Sequence, residues 1–289
     1  MARIKQWLDG PTLKLFSIPW VGRIMDYLSY QHKRVRRRQL MARMEAEGTY
    51  GDIVQQGPFR GMKYLPGAYA CCRFQKIVGS YEHELHRLLH TLISKGQYRH
   101  IVNVGAADGY FTVGLALALP EAKGVSFEMS DYSRALLERT VALNEVQDRV
   151  QVKGRCDPTL LQQLASEIDP RKTLLICDVD GYEVELLTEG KVSWLPDADI
   201  LLELHDCLRR GVTKAVLAAF SATHSITHIT NAGVEYARFP MLRELTFVEI
   251  DALLNEDRRG IQDWFFMTPN PAMHEHVSHL GNQPALPHS

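Results

Sequence analysis

The amino-acid sequence predicts an α/β fold, with a doubly wound, mainly parallel sheet of seven strands that follows an N-terminal helical extension. From residue 100 onward, short apolar runs alternate with amphipathic helical segments, which is the pattern of successive βαβ units. The apolar runs are hydrophobic on both faces, as expected for strands that helices cover on either side. The chain has 289 residues, 45% of them hydrophobic, which is enough for one large α/β domain.

The first 47 residues are predicted to be helical, with Pro11 and Pro19 interrupting the first part. The stretch from Trp20 to Tyr30 has an apolar face. Five cations follow it: Lys33, Arg34, Arg36, Arg37 and Arg38. Residues 1–50 carry ten Lys and Arg against four Asp and Glu, or +6, which leaves −7 for the remainder because the whole chain carries −1. We interpret the basic run as a solvated helix face, with contact to phosphates or to an anionic membrane surface as alternatives.

The remaining elements follow in chain order. Residues 50–80, rich in Gly, Pro and aromatic residues, are predicted to form short strands and turns, and a helix begins at Tyr81. Seven strands are predicted: Ile101–Val104, Gly124–Glu128, Val150–Val152, Thr173–Asp178, Asp199–Leu204, Ser225–Thr230 and Asp263–Met267. The predicted helices between them are Phe111–Leu119, Tyr132–Asn144, Thr159–Ile168, Val184–Glu189 and Thr213–Thr223. Seven strands in this order indicate a Rossmann-like class I methyltransferase fold, in which the last strand is inserted antiparallel. The predicted domains are 1–49, the basic helical extension, 50–272, the methyltransferase domain, and 273–289, a tail.

The cysteines and the hydropathy pattern predict a cytoplasmic protein. The five cysteines are odd in number and form no CxxC pair, which argues against a zinc site and a disulfide framework: Cys71, Cys72, Cys156, Cys177 and Cys207. No secretory signal is recognisable, and no stretch approaches the ~20 apolar residues of a membrane-spanning helix. Peripheral contact of residues 1–45 with the inner membrane face stays open.

In an open α/β sheet, ligands bind at the carboxyl ends of the strands, so the residues that follow each strand are the candidate site. A tight turn, Gly105 to Gly109, follows the first strand and leads into a helix N-terminus. Its G-x-x-x-G spacing argues against a dinucleotide site, and the absence of a GK[ST] motif argues against a nucleoside triphosphate. Glu128 ends the second strand about twenty residues later, where an acid can bind both hydroxyls of a ribose. Its alternative role is a solvated carboxylate.

Three further strand ends carry polar residues. After the third strand, Asp157 fits an adenine contact and equally a helix N-cap, since Pro158 would then be the first helical residue. The ends of the fourth and fifth strands supply hard-cation ligands or general bases: Asp178, His205 and Asp206. One Mg²⁺ held there would lower the pKa of a substrate oxygen, and His205 is the alternative general base. Asp180 and Glu183 either join this group or cap the next helix.

Five sequence blocks resemble FkbM-type methyltransferases, and more closely a bacterial group of uncharacterised relatives. They span roughly residues 50–270: Gly57–Met62, Gly79–His86, Val102–Tyr110, Cys177–Glu183 and Glu203–Asp206. The resemblance implies S-adenosylmethionine as the methyl donor. By position it implies cofactor contacts from Gly105, Ala106, Asp108, Gly109, Glu128, Cys156, Asp157, Asp178, Tyr81 and Glu82. It implies catalytic roles for His205, Asp178 and Asp206, with Asp178 and Asp206 as the metal ligands. The chain departs from the family pattern at Asn103, where an acid is usual, at Ala107, where a glycine is usual, and at Asp180 in a D-V-D-G block.

The leading functional prediction is O-methylation of a hydroxyl on a sugar, a glycolipid or another small molecule, by in-line transfer from the sulfonium to oxygen. Methylation of nucleic acid through the basic run is the first alternative. It is disfavoured because no Asn-Pro-Pro-Tyr block follows the fourth strand and residues 50–289 are acidic overall. A non-enzymatic partner protein with a methyltransferase fold is the second alternative. The sequence leaves the acceptor and the oligomeric state open.

Overall fold

The computed structural model describes residues 18–48, 51–65, 72–231 and 234–270. The chain divides into two compact units, one formed by the described parts of 1–51 and 236–255, the other by 52–235 and the residues from 256 on. The predicted domain limits at 49/50 and 272/273 stay predictions. The predictions for residues 1–17, for Cys71 and for the tail fall outside the described residues.

The second unit is built on one seven-stranded sheet with the order β3-β2-β1-β4-β5-β7-β6. The strands are β1 His100–Val104, β2 Lys123–Phe127, β3 Val150–Lys153, β4 Thr173–Cys177, β5 Asp199–Glu203, β6 His224–Ile229 and β7 Trp264–Pro269. Neighbouring strands from β1 to β5 are parallel, and β7 is antiparallel to both β5 and β6. This is the topology of the Rossmann-like class I methyltransferase fold, so the predicted fold is confirmed, including the antiparallel insertion of the last strand.

The helices of the described residues agree with the prediction in the sheet region and differ outside it. They are α1 Pro19–Ala46, α2 Arg73–Val78, α3 His86–Lys95, α4 Tyr110–Ala118, α5 Asp131–Leu143, α6 Pro158–Gln163, α7 Val212–Phe220 and α8 Phe247–Leu254. The predicted helix over Val184–Glu189 is a π-helical turn. Pro19 does not interrupt α1 but begins it, since the first turn needs no proline N–H.

Two helices were missed by the sequence prediction. The prediction of strands and turns for residues 50–80 was wrong at α2, where every side chain is buried and the amphipathic period is therefore absent. In that region the described residues form one β-bridge, between Ile53 and Lys63. Helix α8 was not predicted, although Thr246 and Glu249 form a capping box at its start, which is a sequence signal for a helix.

The core of the second unit lies against both faces of the sheet. Strand β4 is buried along its whole length, and Ile200, Leu201 and Leu202 of β5 are fully buried. Each side chain of this size stabilises the fold by ~1.5–3 kcal/mol when it leaves water. Because these central strands are held so firmly, the loops at their carboxyl ends are placed on a rigid platform.

In the first unit, cations of α1 bind α8. Lys33 pairs with Asp251 at 2.7 Å, and Arg36 pairs with Glu249 at 2.9 Å. Arg37 donates to the carbonyl oxygens of Ala252 and Asn255, at the C-terminal end of α8, where helix carbonyls lack partners. Lys33, Arg36 and Arg37 of the basic run are therefore engaged with α8.

The N-terminal half of α1 exposes large apolar side chains. Trp20, Ile24, Tyr27 and Leu28, the predicted apolar face, are each about half exposed or more. No helix in the described ranges is long and apolar enough to cross a membrane. Contact of residues 1–45 with a membrane surface stays a prediction.

Candidate active site

A cleft of about 1020 Å³ opens at the carboxyl ends of the parallel strands in the second unit. Residues that end or follow β1, β2, β4 and β5 line it: Gly105, Glu128, Asp178 and Glu203. This is the position at which the strand order of an open sheet places a ligand. The sheet therefore brings together most of the residues that the sequence analysis took from the strand ends.

The turn after β1 brings the backbone close to β4. Gly105 has φ +82°, and a Cβ there would lie 1.6 Å from the carbonyl oxygen of Asp178. A side chain is therefore excluded, and a ligand meets bare backbone at this point. Ala107, in place of the usual glycine, adopts φ +48° and donates its N–H to Glu128 Oε2 at 2.8 Å. This hydrogen bond holds the turn against the end of β2.

Glu128 lies in the cleft with both carboxylate oxygens oriented by the backbone. Oε2 accepts from Ala107 N, and Oε1 accepts from Ser130 N at 2.7 Å. Each oxygen of an ionised carboxylate has a second acceptor site, so both remain able to accept from a pair of vicinal hydroxyls. The geometry fits the ribose role that the sequence predicted; that role and the solvated alternative both stay predictions.

Cys156 lines the cleft beyond β3, and Asp157 does not. Burial raises the pKa of the Cys156 thiol to about 12, so this side chain is a small neutral group at neutral pH. Asp157 accepts the N–H of Leu160 at 2.8 Å and caps α6, with Pro158 as the first helical residue. The N-cap interpretation of Asp157 is confirmed, and its contact with adenine stays a prediction.

Three residues of this turn that were predicted to touch the cofactor do not line the cleft. Ala106 is buried and donates its N–H to the carbonyl oxygen of Phe127. Gly109, with φ +96°, packs against Leu137 of α5. Asp108 is buried in an ion pair with Lys76 at 2.8 Å. None of the three lines the cleft, and their predicted contact with a cofactor stays a prediction.

Asp178, Glu203 and His205 form a compact group in the cleft. His205 Nε2 lies 3.5 Å from Asp178 Oδ1 and 3.3 Å from Glu203 Oε2. One ligand atom from each residue lies within 4.8 Å of the other two, which is the spacing of a metal-binding set. Asp180 Oδ1 is 3.6 Å from the same imidazole nitrogen. The structure therefore brings together two of the predicted catalytic residues, Asp178 and His205.

Glu183 orients the imidazole of His205. The carboxylate is fully buried, and His205 Nδ1 donates to its Oε1 at 2.5 Å, while Gly181 N donates to the same oxygen at 3.1 Å. Because Nδ1 is engaged in this way, Nε2 is the nitrogen that faces Asp178 and Glu203. A buried carboxylate behind a histidine is the usual arrangement for fixing its tautomer at a metal or base site. Glu183 thus joins the group around His205, and its side chain does not cap the next turn.

The carboxylates change the acidity of the whole group. Burial lowers the pKa of His205, but the hydrogen bonds to Glu183 and Glu203 outweigh it, and the pKa rises to about 11. Burial and the charge of Glu203 raise the pKa of Asp178 well above its ordinary value. Burial opposes ionisation of Glu203 as well, yet hydrogen bonds to His205 and Asp178 lower its pKa. A proton on His205 therefore offsets carboxylate charge in the cleft of the free protein.

The structure does not place Asp206 in this group, so its predicted pairing with Asp178 as a metal ligand was wrong. Its carboxylate accepts the backbone N–H groups of Gly211 and Thr213, each at 3.0 Å, and the hydroxyl of Thr213. These bonds satisfy donors at the start of α7. Glu203 takes the place that the sequence analysis gave to Asp206, because the last residue of β5 faces the cleft.

Tyr81 and Glu82 line the cleft, beside a cation that the sequence analysis missed. Glu82 accepts from Trp264 Nε1 at 2.8 Å and from Arg258 Nη2 at 2.6 Å. Arg258 also contacts three more carboxylates: Glu84 at 3.1 Å, Glu256 at 2.9 Å and Glu203 at 3.3 Å. Burial and the charge of Glu256 raise the pKa of Glu82 well above its ordinary value. No motif surrounds Arg258, so no sequence signal could have found it.

Backbone strain is concentrated around this cleft. Seven described non-glycine residues have positive φ, and five of them line the cleft: Cys72, Glu82, Ala107, Asp180 and Asp257. Such conformations cost of order 1–3 kcal/mol each and persist where the surrounding structure enforces them. Such clustering is typical of functional sites.

The comparisons with known proteins give one curated relative of interest. No family model matches the chain. The chain is similar to catechol O-methyltransferase of Sus scrofa, with 28% identity over 126 residues, which are 43% of this chain and 62% of that protein. It thus spans less than two thirds of the length of this relative.

Solved structures that are similar to the chain include two O-methyltransferases. One is TomG of Streptomyces achromogenes, which is involved in tomaymycin synthesis and was solved with SAM. It is 17% identical to this chain, with a TM-score of 0.47, and the match covers 64% of this chain and 78% of that chain. The other is the O-methyltransferase of Bacillus cereus solved with SAH, with 16% identity, a TM-score of 0.45, and coverage of 64% and 80%. The fold assignment itself rests on the strand order of the sheet.

Proposed function

We propose that this chain is an S-adenosylmethionine-dependent O-methyltransferase that acts on a small hydroxyl-bearing acceptor such as a sugar or a glycolipid. The observation that carries the proposal is one cleft that holds two sets of groups. Gly105 and Glu128 suit a nucleoside, and the group of Asp178, Glu203 and His205 suits a reacting hydroxyl. The similarity to a catechol O-methyltransferase supports the same reaction type. The five blocks that resemble FkbM-type enzymes support membership of that family, and four of them contribute residues to the cleft.

The cofactor half of the cleft fits S-adenosylmethionine in three respects. The bare backbone at Gly105 gives room for the amino-acid part beside the N-terminus of α4. The oriented carboxylate of Glu128 can accept from both ribose hydroxyls. The neutral thiol of Cys156 suits the edge of an uncharged base.

The acceptor half fits a divalent cation. Asp178, Glu203 and His205 would hold it, and Glu183 would orient the histidine ligand from behind. A bound cation lowers the pKa of an acceptor hydroxyl and so favours its attack on the methyl group. A donor set with one imidazole suits Mn²⁺, Fe²⁺ or Zn²⁺ as well as the Mg²⁺ first considered, which prefers oxygen ligands. His205 as the general base, without a bound cation, stays the alternative.

Neither alternative function gains support from the described residues. Nucleic-acid binding would need free cations in the basic run, and Lys33, Arg36 and Arg37 are engaged with α8. A non-enzymatic role gives no reason for the buried group around His205. Burying carboxylates and a histidine together costs free energy of folding, and such groups are typical of functional sites.

The test is calorimetric titration of the purified full chain with S-adenosylmethionine, in chelator and then with added Mg²⁺ or Mn²⁺. We expect one site with micromolar affinity, and at least a tenfold loss in Glu128→Ala. Glu138→Ala, which removes an exposed carboxylate of α5, is the matched control and should bind as the wild type does. Methyl transfer to a panel of sugars and aromatic diols then identifies the acceptor class and the metal requirement. Absence of binding in every buffer would overturn the proposal, and equal affinity of the two variants would overturn the role of Glu128.

A further inference from the structure

Lys76 of α2 is a lysine in the interior of the second unit. Its side chain is 2% exposed, and Nζ donates to Asp108 Oδ1 at 2.8 Å, while the side chain of Asp108 is 4% exposed. Tyr64 donates its hydroxyl to the same carboxylate oxygen at 3.3 Å. Lysine and aspartate are almost never fully buried unless they are paired, so the burial of each side chain here depends on the other.

The ion pair does not line the cleft, but it joins two segments of the chain that do. Asp108 lies in the turn after β1, whose Gly105 and Ala107 face the cleft. Lys76 lies shortly before Tyr81, which faces the same cleft, and its Nζ is 4.8 Å from the centre of the Tyr81 ring. A cation over the face of an aromatic ring is attracted to it. One ammonium group therefore holds both the cofactor turn and the tyrosine.

The turn that Asp108 belongs to needs such support. Ala107 has φ +48°, a conformation that a residue other than glycine keeps only where the surrounding structure enforces it. Every side chain of α2 is buried, polar ones included. An apolar residue at position 76 would leave the buried carboxylate of Asp108 without its cation and would not fix its position.

We propose that Lys76 is a positioning residue for cofactor binding, which acts through Asp108 on the turn from Gly105 to Gly109 and directly on the ring of Tyr81. The inference rests on the proposed S-adenosylmethionine site and names a residue outside the cleft on which that site depends. It also gives Asp108, which belongs to the turn but does not line the cleft, an indirect role in place of a direct contact.

The experiment compares S-adenosylmethionine affinity and stability in three variants. Lys76→Met should bind at least tenfold more weakly than the wild type, and Lys76→Arg, which keeps the charge, should recover part of that loss. The double variant Lys76→Met with Asp108→Leu removes both charges together, so its thermal midpoint should return towards the wild-type value while its affinity stays low. That split separates positioning from simple stability. Lys123→Met, an exposed lysine at the start of β2, is the control.

A second measurement does not depend on the cofactor. In the ligand-free protein, the ¹⁵N–¹H signals of Gly105 and Gly109 should shift in Lys76→Met and in the double variant, and should not shift in Lys123→Met. Wild-type affinity in either folded Lys76→Met or the double variant overturns the inference, and so do unchanged glycine signals. A wild-type protein that does not bind S-adenosylmethionine overturns the proposed function instead, and the glycine signals still decide whether Lys76 positions the turn.

Discussion

At the scale of single residues, one wall of the cleft is held by one guanidinium among carboxylates. Arg258 contacts four of them, two from the segment before the sheet, one from the end of β5 and one from its own loop. An arginine suits this position because its planar group offers five N–H donors in fixed directions and keeps its charge. Since Glu203 is among its partners, Arg258 also fixes one wall of the group around His205.

Replacing Arg258 by methionine should lower the free energy of unfolding by roughly 3–5 kcal/mol, the usual cost of removing one partner from a buried charge set. The reason is that Glu82 and Glu203, both nearly fully buried, lose their cation. Urea unfolding followed by circular dichroism measures the change. Arg259→Met is the control, because Arg259 lines the same cleft but is exposed to solvent. Equal stability of the two variants would contradict the assigned role of Arg258.

The sequence predicted the residues that strand ends place in the cleft, and missed those that only folding brings there. Gly105, Glu128, Asp178 and His205 could be named because the carboxyl end of a buried parallel strand has one location in this fold. Asp206 was mistaken for a ligand because the sequence does not show where β5 ends, and the acid that faces the cleft is its last residue, Glu203. Arg258 comes from a loop without regular structure, and no local pattern gives its partners.

At the scale of secondary-structure elements, the strands were predictable because each is a short apolar run bounded by polar or turn residues. The observed strand limits differ from the predicted ones by one or two residues. The two missed helices are missed for opposite reasons. Helix α2 is buried on every side and shows no period, whereas α8 has Phe247 and Val248 exposed at its start, which obscures its apolar face.

The junction between β1 and α4 gives a prediction at this scale. Gly105→Ala should abolish S-adenosylmethionine binding, because the new Cβ would overlap the carbonyl oxygen at the end of β4. The left-handed backbone alone costs an alanine ~1–2 kcal/mol, and the overlap adds to that. Calorimetry and thermal melting measure the two effects. Gly124→Ala is the control, since a Cβ at that position on β2 meets its nearest atom at 3.5 Å, and it should bind normally. Normal binding by Gly105→Ala would contradict the close approach of β1 and β4.

At the scale of the whole molecule, the positive charge of the first 50 residues has a structural use. Helices α1 and α8 belong to one unit although about 200 residues separate them in the chain, and three cations of the basic run join them. The apolar residues of this unit, Leu40, Met41 and Met44 of α1 with Ile250, Leu253 and Leu254 of α8, are buried. Residues 236–255 therefore form one compact unit with the described part of residues 1–51.

Deletion of residues 1–51 tests this organisation. Without α1, the apolar residues of α8 lose their cover, so the shortened protein should bind more of the dye ANS and should associate during size-exclusion chromatography. All residues that line the cleft lie in the second unit, so the soluble fraction should keep its S-adenosylmethionine affinity within roughly threefold.

A triple variant tests the basic run alone. Replacing Lys33, Arg36 and Arg37 by glutamate should also increase dye binding. The control is Arg34→Glu, which should not increase it, because the Arg34 guanidinium stacks on Tyr30 of its own helix. If the deletion leaves both the dye binding and the hydrogen-exchange protection of the α8 amides unchanged, the basic run does not hold α8. An external anionic partner then explains the positive charge of the basic run better.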